Sequence, residues 1–212
     1  MTPASLRALA DSIPDLGHGG RRIADTLIRL AGAVRSDRAI VDIGPYLGST
    51  TAYLALGSRG VPIHAYDTWD ATICDLRAKA RRYHGQELPD DLLPLFLKNV
   101  MPWISRIHQH KGDLFDARYD EVRDIGLLVD DIGCDERYTR AKLATFGPHL
   151  APGARLVLMD FYWFESKAGP DFDYQRRLVK ANPQAFRFLA RDGMAAVVAW
   201  GSAPVVYPED NA

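Results

Sequence analysis

The chain has 212 residues, the length of one domain or of one domain with an elaboration. Its 47% apolar, 10% aromatic and 25% charged residues supply a sizeable core and exclude wholesale disorder. Twenty-six Lys plus Arg against 27 Asp plus Glu leave a formal charge of −1, so no bulk field draws the chain to nucleic acid or to an acidic membrane. Cys74 and Cys134 are the two cysteines and belong to no CxxC or Cys/His cluster, which argues against a disulfide framework and a structural zinc site and for a reducing cytosol. The first 15 residues hold no apolar stretch of signal-peptide length, and no run approaches the roughly 18 apolar residues of a membrane helix. A soluble, cytoplasmic, unprocessed protein is expected.

Residues 21–35 place Ile23, Leu27, Leu30, Ala31 and Val34 on one helical stripe, an amphipathic helix that needs a sheet to pack on. A short apolar run at 39–43 breaks at Gly44-Pro45 and restarts at Ser49 as a helix through about Leu56, with Gly57 as its stop. Further strands are predicted at 61–66, 106–111, 125–130 and 155–159. A helix from about Asp135 to Leu150, capped by Asp135 and closed by Ala151-Pro152-Gly153, separates the last two. Apolar strands alternating with helices imply a parallel sheet buried on both faces. At the C-terminus, 185–190 and 194–200 flank Arg191-Asp192-Gly193, the signal of an antiparallel hairpin. The expected fold is α/β, a Rossmann-like doubly wound seven-stranded sheet, mostly parallel and ending in that hairpin. Residues 1–212 read as a single domain, with 1–36 a helical N-terminal segment and 71–104 an insertion over the strand ends, where open α/β sheets bind ligands.

The most informative stretch is Val41-Asp42-Ile43-Gly44-Pro45-Tyr46-Leu47-Gly48-Ser49-Thr50, a strand that delivers a carboxylate and two glycines to a turn opening a helix. Such a turn cradles a nucleotide-like ligand. In a dinucleotide fingerprint a second glycine lets the backbone approach a pyrophosphate, but here Tyr46 stands two residues after Gly44 and obstructs it. The strand at 61–66 runs into Asp67, where a carboxylate can accept both hydroxyls of a ribose.

The spacing D-x-G-x-x-x-G resembles the first motif of the class I S-adenosylmethionine-dependent methyltransferases, and the resemblance spans about residues 38–200. It implies that Asp67 holds the ribose, that Asp113 lies near the adenine amino group, and that Leu114 packs on the ring. The implied cofactor-binding set is Asp42, Gly44, Pro45, Tyr46, Gly48, Ser49, Thr50, Asp67, Thr68, Trp69, Asp113, Leu114 and Asp130. Within the superfamily the chain looks most like the small O-methyltransferases of natural-product or sugar tailoring, whose fourth strand runs into D-G-D-H-x-Y and whose fifth ends in two acids. Here Asp131-Ile132-Gly133-Cys134-Asp135 replaces the first run, Tyr138 matches the tyrosine, and Phe161 occupies the place of the second acid. Metal-dependent members hold a divalent cation such as magnesium on about three oxygen ligands. Only Asp131 and Asp160 survive, so the economical reading is a weak metal site or none.

Blander readings compete at several positions. Asp42 could cap the following turn. Asp130 and Asp131 are adjacent, so they face different ways. Asp131 is taken as the functional one, as a general base for a substrate hydroxyl, and a plain helix-entry carboxylate is its rival role. His64 within a strand reads as a packed core residue. His18, within Gly17-His18-Gly19-Gly20, is the histidine best placed to reach the active site as a second catalytic group. Phe161-Tyr162-Trp163-Phe164 follows a strand's carboxyl end and favours an apolar acceptor. The sequence therefore predicts methylation of a small-molecule hydroxyl, without nucleic acid or membrane and with homo-oligomerisation left open. The rivals are a non-catalytic cofactor-binding domain with a regulatory or assembly role and, disfavoured by Tyr46, a nicotinamide oxidoreductase.

Overall fold

The computed structural model describes residues 2–15, 20–73, 76–85, 87–162, 173–201 and 203–208. Seven strands form one sheet: β1 (Ala39–Ile43), β2 (Ile63–Asp67), β3 (Ile107–Lys111), β4 (Ile125–Asp130), β5 (Leu150–Leu158), β6 (Phe186–Asp192) and β7 (Ala195–Trp200). Their spatial order is β3-β2-β1-β4-β5-β7-β6. The first five run parallel, and β7 lies antiparallel between β5 and β6. This is the expected doubly wound sheet with its terminal hairpin.

The strand sequences follow from their places in that order. β1 is central and every residue in it is buried, so it reads as an unbroken apolar run interrupted only by Asp42. β3 is an edge strand, Ile-His-Gln-His-Lys, buried at its first residue and mostly open beyond it. A polar edge resists pairing with another sheet. Alternate strand residues feed two separate cores: Ile40, Leu127, Val129 and Val157 join one, while Val41, Leu128, Leu156 and Leu158 join the other.

Helices α1 (Pro3–Ser12), α2 (Ala24–Gly32), α3 (Ser49–Gly57) and α5 (Leu93–Val100) line the first core, and α6 (Glu136–Phe146) and α7 (Tyr174–Ala181) line the second. Helix α4 (Leu76–His84) is the basic segment. The predicted stripe of α2 buries Leu27, Leu30 and Ala31, each large apolar side chain contributing about 1.5–3 kcal/mol. Asp135 caps α6 as expected, accepting from the Tyr138 amide at 2.9 Å. Among the described residues no helix is long and apolar enough to cross a membrane.

Two strand starts differ from the sequence reading for a clear physical reason. β2 starts at Ile63, since Pro62 has no N–H for a ladder and contributes its carbonyl to Ile40 instead. β5 starts at Leu150: the Pro152-Gly153 pair, read as a stop, sits where the pairing of β4 with β5 changes register. Helix α1 lies in the N-terminal segment expected to be helical, whereas α7 was not foreseen. α1 docks on α3 through the Tyr53 hydroxyl, which donates to Asp11 at 2.8 Å.

Candidate functional site

Strand order reverses between β1 and β4, and in open α/β sheets ligands bind at that reversal, outside the carboxyl ends of the strands, a place termed the mouth below. The β1 loop there is strongly bent: Gly44 has φ 79°, Tyr46 51° and Gly48 94°. A Cβ on Gly44 would lie 2.5 Å from Ile132 Cγ2 and 2.7 Å from the Asp131 carbonyl oxygen, and one on Gly48 would lie 2.7 Å from Val100 Cγ1. The two glycines thus let the loop after β4 and helix α5 clasp the turn from either side. Tyr46 has no such freedom, and a tyrosine in the left-handed region costs about 1–3 kcal/mol. It is held there from both ends: its amide donates to Asp67 Oδ2 at 3.0 Å, and its carbonyl accepts from the Trp69 indole at 3.0 Å.

Asp67 ends β2 and joins the loops around it. It accepts the Trp69 amide at 2.8 Å as well as that of Tyr46, and its own carbonyl accepts from Gly112 at 3.0 Å, bringing the loop after β3 alongside. Burial raises its carboxyl above the ordinary value in spite of these amides. Trp69 was expected against a ligand; instead its ring is fully buried, 4.8 Å from the Phe96 ring, and it braces the turn. Asp113 is exposed and caps the short turn Leu114–Asp116 by accepting the Phe115 amide at 3.1 Å. Leu114 is buried in the second core.

The turn also carries polar atoms with nothing to bond. Asp42 is fully buried, and Oδ2 accepts the Thr51 hydroxyl at 2.6 Å, but Oδ1 has no partner among the described residues. Burial pushes this carboxyl up to about 7; Thr51 opposes the rise and the charge of Asp67 adds to it. Ser49 Oγ and the Tyr46 hydroxyl are buried and unpartnered in the same way. Each unmade bond costs about 1–3 kcal/mol. Three such atoms on one strained turn call for an explanation that the packing around them does not supply. Thr50, by contrast, packs against Gly20 at the N-terminal side of the turn.

The adjacent acids at the end of β4 have separated. Asp130 was placed in the cofactor-binding set. The structure instead buries it under α6 and α7, where Oδ2 takes Lys142 Nζ at 2.5 Å and the amide of Gln175. The apolar cavity beside it measures about 30 Å³, far too small for a cofactor. Asp131 is half-buried at the mouth, and burial together with the charges of Asp160, Asp42, Asp130 and Asp15 holds its carboxyl well above the usual range. Phe161, where the family's second acid would be, is buried in the second core. No group of three His, Cys, Asp or Glu side chains among the described residues puts an ion between Asp131 and Asp160. Asp131 and Asp160 would be the two protein carboxylates of a magnesium ion there, with water completing its shell. Tyr138 leans on Phe115, whose ring lies under the Arg137 guanidinium at 3.9 Å. Tyr162 is half-buried beneath Arg191. His18, Trp163 and Phe164 lie outside the described residues.

No protein-family model and no curated protein sequence matches the chain. Solved structures do. It is similar to cofactor-bound Rv0187 from MTB (TM-score 0.63, 15% identity, 94% of this chain and 89% of that one) and to the O-methyltransferase NovP (0.61, 12%, 84% and 79%). It also resembles a methyltransferase from Geobacter sulfurreducens (0.53, 18%, 93% and 87%). The chain has the class I methyltransferase fold. On that fold, Asp42, Gly44, Pro45, Tyr46, Gly48, Ser49, Asp67 and Thr68 lie on the loops after β1 and β2, Asp113 on the loop after β3, and Asp131 and Asp160 at the ends of β4 and β5. Sequence reasoning missed Thr51, which holds Asp42, and Asn99, whose side chain donates to the Leu47 carbonyl at 2.9 Å from α5. It also missed Lys142 and Gln175. A lysine one residue before Leu143 on the inner side of α6 was the signal available for Lys142.

Proposed function

We propose that the protein transfers a methyl group from S-adenosylmethionine to a hydroxyl oxygen of a small molecule. The observation that carries this is the bent turn after β1 with its unpartnered buried atoms, Asp42 Oδ1, Ser49 Oγ and Tyr46 OH, beside the raised carboxyl of Asp131. Such a site suits a ligand that brings positive charge and hydrogen-bond donors, and repels a pyrophosphate. When bound, the cofactor supplies a methyl group already activated by a sulfonium, so positioning outweighs acid-base help. Asp42 and Ser49 would hold its ammonium, Asp67 its ribose hydroxyls and Asp113 its adenine amino group, while the bent backbone from Gly44 to Gly48 lets the chain lie close. Asp131 would take the proton that the acceptor hydroxyl loses as its oxygen gains the methyl, a role suited to a half-buried carboxylate of raised proton affinity.

Titration calorimetry with S-adenosylhomocysteine tests the reading. We expect one site per chain, weakened about 10- to 100-fold in Asp67→Ala, which loses charge-assisted bonds to the ribose. Absence of binding by the wild-type chain would sink it. Tritium transfer from labelled cofactor into small molecules of a cell extract, lost in Asp131→Asn while binding persists, separates an enzyme from a domain that only binds.

A further inference from the structure

Away from the mouth, β2 and β3 bring together a second set of side chains. Alternate residues share a sheet face, and the register pairs His64 with His108 and Tyr66 with His110. Three imidazoles and a phenol therefore stand on one face, and the segment leading into β4 lays Glu121 beside them. His64 Nδ1 lies 3.1 Å from His110 Nε2 and 3.6 Å from Glu121 Oε1. All three ligand atoms fall within 4.8 Å of one another, and among the described residues this is the one group of three able to share an ion. A zinc ion about 2.1 Å from each ligand would set them about 3.0–3.4 Å apart in octahedral or tetrahedral geometry.

We infer that His64, His110 and Glu121 form a binding site for a divalent transition-metal ion of the zinc type. Two imidazoles with one carboxylate select such an ion over magnesium or calcium. The rings are already oriented: Tyr66 stacks on His110 at 4.2 Å and His108 on His64 at 4.8 Å. The Tyr66 hydroxyl donates to the Arg118 carbonyl at 3.0 Å, tying down the segment that carries Glu121. Access is open as well. A cleft of about 370 Å³ is lined by His64 and Glu121 and by Gly60, Pro62, Ser105 and Arg106, the residues that precede β2 and β3. It therefore opens at the end of the strands opposite the mouth and reaches His64 and Glu121. Arg106 at its wall is turned to the carbonyls of Ser58 and Ala55. Cysteine spacing cannot reveal such a site, because its ligands are paired by sheet register. The ion would fasten the segment before β4 to the β2–β3 edge, independently of methyl transfer.

Without metal, His64 Nδ1 and His110 Nε2 lie within hydrogen-bond distance, and the experiment must distinguish that bond from an ion. Chelator-treated full-length protein is titrated with zinc chloride by calorimetry, and with cobalt(II) by visible absorption. The wild-type chain should take up one equivalent of zinc and give the absorption of a cobalt site with nitrogen ligands. Glu121→Gln, whose side chain is 43% exposed, should bind about tenfold or more weakly, and His110→Phe, which keeps the stack on Tyr66, should lose the site. Both variants should keep the wild-type circular dichroism spectrum. The double variant Asp131→Asn/Asp160→Asn should still take up the equivalent, which locates it away from the mouth. No zinc uptake by the wild type, uptake undiminished in Glu121→Gln and His110→Phe, or its loss in the double variant would overturn the assignment.

Discussion

Asp130 and Asp131 are neighbours in the chain and opposites in circumstance. Asp130 turns under α6 and α7, where an ammonium and an amide meet it in a fully buried setting. Asp131 faces a mouth where its neighbours are other carboxylates and its proton affinity rises. The contrast extends to the regions around them: beneath the helices Lys142 and Gln175 meet the buried carboxylate, while on the glycine turn Asp42, Ser49 and Tyr46 keep atoms unmatched. The matched pair holds the sheet to its helices, and the unmatched atoms sit on the turn assigned above to the cofactor.

The largest effect expected on this contrast comes from Lys142→Met. It leaves Asp130 buried without its cation and should cost about 3–5 kcal/mol in urea unfolding, with part recovered when Asp130→Asn is added. A loss below about 1 kcal/mol would show that the pair does not hold that region together.

Next is Asp42→Asn, which should act in the opposite sense on stability. The native carboxyl has its pKa at about 7 against 3.8 in the unfolded chain, so the folded state binds the extra proton between those values. Its contribution is present below about pH 4 and is lost as pH rises to 7, amounting to up to about 4 kcal/mol. The unliganded variant should therefore be the more stable chain at pH 8 and should lose this slope in a series of thermal melts. Its affinity for S-adenosylhomocysteine should fall. In the wild type that affinity should rise with pH until about 7 and then level off. A variant less stable than wild type at pH 8 would remove Asp42 from the unmatched region.

The smallest effect is expected for Asp113→Ala. The residue is exposed and caps a turn of three residues, so unfolding should change by less than about 1 kcal/mol. Loss of one hydrogen bond to an adenine should weaken cofactor binding by about two- to tenfold in calorimetry. An unchanged affinity would leave Asp113 as a cap alone.

Much of this was legible in the residues. The all-buried run of β1, the carboxylate before Gly44, the acid ending β2 and the Arg-Asp-Gly hairpin turn each carry a local signal, since period, capping and glycine placement act within a few residues. The roles of Trp69, Asp130 and Lys142 carry none. An indole at a strand end reads as a ligand platform until Phe96, from the insertion, buries it. α7, with Gln175, lies too far along the chain for any pattern near Asp130 to announce it.

Sequence by itself determined the layers and the location of the mouth, because apolar periodicity dictates which residues leave water and the glycines dictate where the chain can bend. Tertiary structure decided which of two adjacent aspartates meets an ammonium and which is set among other carboxylates. It also gathered His64, His110 and Glu121 around one point, since strand register and loop packing join residues that no local spacing relates. Charge and coordination depend on distances of a few ångströms between such residues, and only the packed sheet sets those.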